Sequence, residues 1–130
     1  MFMDKRGPIE QFTWGSFLIS GVLHAKTLAG KTGKGKDIRL IGKKVSKWKE
    51  RKGHTLNTHM ITGIFGMEIE VLIIGTGVEG MLECPEEVRS YIMNHGIKEL
   101  ILKETPEACR IYNSLYREGR KVALLAHGTC

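Results

Sequence analysis

Long apolar runs are missing from this sequence. Its runs, such as Phe17–Leu18–Ile19 and Val71–Leu72–Ile73–Ile74, are strand-sized and far short of the roughly 20 residues that span a bilayer. The opening Met1-Phe2-Met3-Asp4-Lys5-Arg6 has no apolar signal core, and no Arg/Ser-rich amphipathic stretch accompanies it; the expectation is a cytoplasmic protein with no membrane partner. Cysteine is scarce. Cys84, Cys109 and Cys130 are odd in number and form no C-x-x-C pair, which argues against a disulfide framework and for reduced thiols. The histidines, His24, His54, His59, His95 and His127, lack metal-ligand spacing, and His54 and His59 do not share a helical face. On spacing alone, neither a metal nor a cofactor is expected.

What is present fits one globular domain. The 130 residues are 42% hydrophobic and 26% charged, ordinary proportions for a chain that buries a single core. The charge is uneven. Lys31, Lys34, Lys36, Arg39, Lys43, Lys44, Lys47, Lys49, Arg51 and Lys52 face only Asp37 and Glu50, a local +8 that leaves about −2 for the rest of the +6 chain. The basicity belongs to one segment.

The first part, residues 1–56, reads as antiparallel β structure. Ile9–Trp14 and Phe17–Ile19 flank a Gly15-Ser16 turn, and Val22–Ala25 continues the meander. Leu28–Lys36, rich in glycine and lysine, reads as a mobile loop. Asp37–Ile41 and Lys43–Lys49 flank Gly42 as a second, heavily charged hairpin anchored by Val45 and Trp48. A short helix is expected near Asn57 or Thr58.

Residues 69–130 read more clearly as a strand–helix–strand–helix–strand unit. Ile69–Ile74 is nearly unbroken apolar sequence, as in a strand covered on both faces. Pro85, Glu86 and Glu87 open a helix that runs to His95, with Gly96 beyond it. Val88, Tyr91 and Ile92 give its buried face. Ile97–Leu102 is the next strand. Thr105 is placed as the cap of a second helix, with Pro106 at its first position and Gly119 past its end. Val122–Ala126 is the last strand. Strands joined this way run parallel, so their C-terminal ends should bring Gly75–Gly80, Glu104-Thr105 and His127–Cys130 to one edge, where open α/β sheets bind ligands.

Gly75-Thr76-Gly77-Val78-Glu79-Gly80 matches G-x-G-x-x-G after a strand, with Glu104 at the end of the next. A dinucleotide fingerprint needs its glycines to open the helix, whereas Met81-Leu82-Glu83-Cys84 intervene before Pro85. A tight turn, or a small anion held by backbone amides, are the competing readings. On the second helix Thr105, Cys109 and Asn113 recur every fourth residue. Cys109 is either a thiol facing ligand or a small buried hydrophobe, and Asn113 either a ligand donor or a pin for a neighbouring loop.

From Ile69 onward the chain resembles a family of small archaeal and bacterial proteins that includes the human adipogenesis-associated Mth domain protein and mitochondrial respiratory complex I assembly factor 3. The resemblance rests on Ile69–Gly77, Thr105-Pro106-Glu107-Ala108-Cys109, Tyr112-Asn113, Glu118-Gly119-Arg120, Val122-Ala123 and the ending His127-x-Thr129-Cys130; Asp37–Trp48 matches loosely. It implies an α/β three-layer domain with a mixed sheet, N-terminal β-hairpins preceding the βαβαβ unit, and no shared reaction. Its common polar positions map onto Thr76, Thr105, Asn113 and Arg120. The assembly role belongs to mitochondrial relatives and works through protein partners.

The favoured expectation is therefore a non-enzymatic protein-binding or assembly module, acting through a partner or its own oligomer. The first alternative is a small-molecule or anion site lined by Gly75, Thr76, Gly77, Thr105, Cys109, Asn113, Arg120 and His127, with no catalytic residue assigned. Nucleic-acid binding through residues 31–52 is the second and weaker one.

Overall fold

In the computed structural model, which describes residues 1–27 and 30–130, two sheets and two helices pack around a pair of apolar layers. The first sheet is an antiparallel meander in chain order: β1 (Phe2–Met3), β2 (Ile9–Thr13), β3 (Ser16–Ile19), β4 (Val22–Thr27) and β5 (Gly30–Thr32). The second is mixed, in the order β7-β6-β10-β8-β9. Here β6 (Ile38–Ile41) and β7 (Lys44–Lys47) form the basic hairpin, and β8 (Val71–Gly75), β9 (Glu99–Lys103) and β10 (Val122–Ala126) are parallel. Helix α1 (Glu86–Asn94) joins β8 to β9, and α2 (Thr105–Arg117) joins β9 to β10.

Burial explains this layering. Every residue of β8 and β10 is buried, which requires cover on both faces of the mixed sheet. On one face Val71, Ile73, Leu124 and Ala126 meet Ala108, Cys109 and Tyr112 of α2, with Ile9, Phe12, Phe17 and Ile19 of the first sheet. On the other, Leu72, Ile74, Ala123 and Leu125 meet Val88 and Ile92 of α1, with Trp48, Leu56, Ile61 and Ile64. Each apolar layer thus draws on both parts of the chain.

Several boundaries differ from the sequence reading, each for a local reason. Gly30–Thr32 is a strand paired with Ala25–Thr27 rather than loop, because an edge strand needs only backbone partners and tolerates lysine. Leu28 and Ala29 of the expected loop lie outside the described residues. The expected helix near Asn57 is a single 3-10 turn, Thr58–Met60. β9 starts at Glu99 because its ladder with β8 begins at Val71↔Glu99, leaving Ile97 to fill the second apolar layer. Thr105 does not cap α2. Glu104 occupies the cap position without a side-chain bond, and the Thr105 hydroxyl is committed elsewhere.

Candidate functional site

The C-terminal ends of β8, β9 and β10 bring together the loops that follow them. Thr76 N donates to Lys103 O at 2.8 Å, Thr105 N to Gly77 O at 3.0 Å, and His127 N to Gly75 O at 2.9 Å. The Thr105 hydroxyl ties all three. It donates to His127 O at 2.7 Å and accepts from Gly77 N at 2.9 Å. A Cβ at Gly75 would lie 2.9 Å from that hydroxyl oxygen, so glycine there permits the close approach.

The glycine-rich turn is filled by the chain itself. Val78 N donates to Thr129 O at 2.6 Å and Met81 N to Cys130 O at 3.0 Å. Gly77 has φ +104°, and a Cβ on it would run into the Cys130 carbonyl. The amides of Thr76, Val78, Gly80 and Met81, which an anion would need, already hold peptide carbonyls, and that of Gly77 holds the Thr105 hydroxyl. Beside the turn a groove of about 520 Å³ is lined by Glu79, Glu83 and Glu104 against Arg89 and Lys103, an acidic excess unsuited to phosphate.

The remaining expected site residues have other partners. Asn113 is fully buried and faces β2: its Oδ1 accepts from Ile9 N at 3.0 Å, and its Nδ2 donates to Ile9 O at 2.7 Å. Cys109 is fully buried, and burial pushes its thiol well above the usual range; it is a packing residue. Arg120 sits at the opposite end of the parallel strands, where its Nε donates to Glu70 Oε1 at 2.9 Å beside a separate 240 Å³ hollow. Thr76 and His127 do remain at the strand ends. Among the described residues, every buried side-chain nitrogen or oxygen has a hydrogen-bond partner.

Asp37, Arg51 and His54, which carry no local signal in the sequence, join His127 and Cys130 at this edge. His127 is 2% exposed, and its Nδ1 lies 2.9 Å from Asp37 Oδ1. An ionised carboxylate only accepts, so Nδ1 carries the proton and Nε2 turns away from Asp37. Asp37 also accepts from Gly128 N at 3.0 Å and from Arg51 Nε at 2.8 Å. Burial raises the Asp37 carboxyl, but the hydrogen bonds from His127, Gly128 and Arg51 outweigh it, and the net shift is downward. His54 Nε2 lies 3.3 Å from Cys130 Sγ. Donor atoms of His54, His127 and Cys130 all fall within 4.8 Å of one another. Spacing along the chain had suggested no ligand set; folding brings together residues 73 and 76 positions apart.

The basic hairpin is partly self-neutralised. Arg39 Nη2 donates to Glu50 Oε1 at 3.1 Å and Arg39 Nε to Thr62 O at 2.7 Å, while Arg51 is held by Asp37. Trp48 is 1% exposed and its Nε1 donates to Met60 O at 2.8 Å.

Residues 9–127 match the family described as "Protein of unknown function (DUF498/DUF598)". The chain belongs to that family. Solved structures share the architecture. A conserved hypothetical protein of Pyrococcus horikoshii, PH1505, is 23% identical with a TM-score of 0.70, over 94% of this chain and 98% of the other. A Bartonella henselae protein described as an outer membrane protein is 27% identical with a TM-score of 0.72, over 95% of each chain. The Xanthomonas campestris protein XCC1710 is 18% identical with a TM-score of 0.66, over 92% of this chain and 83% of the other. Among the described residues, no helix is long and apolar enough to cross a membrane.

Proposed function

We propose that this chain is a protein-binding module that docks a partner protein on the outer face of its antiparallel sheet. The observation that carries this reading is a cross-strand row. Met3 pairs with Gln11, Gln11 with Leu18, and Leu18 with Leu23. Directly paired residues share a sheet face, and the neighbouring row, with Phe12, Phe17 and His24, is buried. Met3 is 74% and Leu23 42% exposed, and the hairpin tip adds Trp14 at 51%. Grouped apolar side chains of this kind mark interaction surfaces more often than singly scattered ones do.

Other features support the same reading. The glycine turn is filled, which counts against a phosphate or nucleotide ligand. Trp48 is buried and two arginines of the basic segment are paired internally, which leaves that segment without a stacking aromatic. The resemblance to complex I assembly factor 3, which works through protein partners, points the same way.

The test is tagged purification from the source organism with mild cross-linking, comparing wild type, Met3→Glu/Leu23→Glu and Lys43→Glu/Lys44→Glu. A stoichiometric protein kept by the lysine variant and lost by the Met3/Leu23 variant is the expected result. Retention of RNA or DNA lost only in the lysine variant would replace this reading with a nucleic-acid one. Strictly monomeric behaviour with no stoichiometric protein would remove it.

A further inference from the structure

His54, on the loop after β7, and His127 and Cys130, just past β10, converge where the parallel strands end. We propose that these three side chains bind a divalent transition ion of the zinc class, with its fourth position left to solvent. The inference does not depend on the protein-docking face assigned above.

The donor set selects the ion. Two imidazoles and a thiolate are borderline-to-soft ligands that suit zinc and its neighbours and disfavour Mg²⁺ or Ca²⁺. Three protein ligands with one open position are a common zinc arrangement. Zinc bonds of about 2.0–2.3 Å at tetrahedral angles put donor atoms roughly 3.3–3.8 Å apart. The His54 Nε2–Cys130 Sγ separation of 3.3 Å already matches, and the set as a whole lies within 4.8 Å. The contraction still needed is about 1 Å by the same geometry, and it falls on the less buried side chains: His54 is exposed and Cys130 half-buried.

The buried partner is oriented in advance. Asp37 accepts a hydrogen bond from His127 Nδ1–H at 2.9 Å, which leaves the Nε2 lone pair available. A metal-binding histidine usually gives its other N–H to a carboxylate or carbonyl in this way. Asp37 is itself fixed by Gly128 N and Arg51, and Arg51 also donates to Gly53 O, next to His54, at 2.5 Å. One arginine thus braces both the carboxylate behind His127 and the loop carrying His54. The Thr129 hydroxyl, 3.4 Å from His127 Nε2, is a weak competitor for that lone pair because the contact is long.

The full chain, stripped with a chelator, is titrated with Zn²⁺ by competition and with Co²⁺ by absorbance. One saturable equivalent is expected, with a sulfur-to-cobalt charge-transfer band and tetrahedral d–d bands. Cys130→Ser should remove the charge-transfer band, and His54→Ala should weaken Zn²⁺ binding at least about 10-fold, the lower end of what outer-sphere partners alone command. In wild type, Zn²⁺ should shield Cys130 from alkylation and leave Cys84 labelling unchanged, a readout that needs no variant to fold. No saturable binding, a cobalt spectrum without a thiolate band, or affinity unchanged in both variants would overturn the site.

Discussion

Asn113 of α2 pairs with both backbone polar groups of Ile9 in β2, accepting from its amide at 3.0 Å and donating to its carbonyl at 2.7 Å. The amide side chain completes β2 as a neighbouring strand would, at a bulge where the β2–β3 register shifts between Ile9 and Gln11. Asn113→Ala strands two buried groups at about 1–3 kcal/mol each. A loss of about 2–6 kcal/mol in denaturant unfolding is expected, with metal affinity unchanged in the fraction that remains folded.

Thr105→Val keeps the shape of the side chain and removes one hydroxyl that serves two backbone groups. Destabilisation of about 1–3 kcal/mol is expected, and hydrogen exchange at the Gly77 amide should accelerate. Thr105→Ser should restore both, which separates the hydroxyl from the packing.

Asp37 has a carboxyl pKa depressed below the ordinary 3.8. Its stabilisation is therefore fully present above that value and is lost as the pH falls through the folded one. At neutral pH, Asp37→Asn should cost about 3–5 kcal/mol, because Arg51 loses its buried partner. Stability curves of wild type and variant, measured from pH 7 downward, should converge below the ordinary carboxylate range. Parallel curves would rule out the assignment.

The three thiols should react in order of access and acidity. Burial raises Cys84 as well as Cys109, and Cys109 is inaccessible. In metal-free native protein, alkylation followed by mass spectrometry should modify Cys130 first and Cys84 slowly. Cys109 should label only on unfolding.

Much of the fold was legible because period and burial coincide. The apolar run before Gly75 is the fully covered strand β8, and Pro85, Pro106, Gly96 and Gly119 mark the helix ends. The convergence of the three strand-end loops followed from parallel topology alone. What was not legible depends on partners distant in the chain. Asn113 could be read as a ligand donor until Ile9, 104 residues away, was placed against it. The family's shared polar pattern groups Arg120 with the strand-end residues, yet it precedes β10 and lies at the strands' other end, with Glu70. His54 looked isolated because ligand spacing detects only local sites, whereas its neighbours here, His127 and Cys130, arrive through the sheet.

The four residues 127–130 touch both sheets. His127 N is held by Gly75 O, Gly128 O takes the Gly15 amide of the first sheet, and Thr129 O and Cys130 O take Val78 and Met81. Tension applied at Cys130 would strain the Met81 and Val78 bonds first and reach the Gly15 bond only after them. The segment is thus a mechanical tie that joins the first sheet to the glycine turn and yields from its outer end inward.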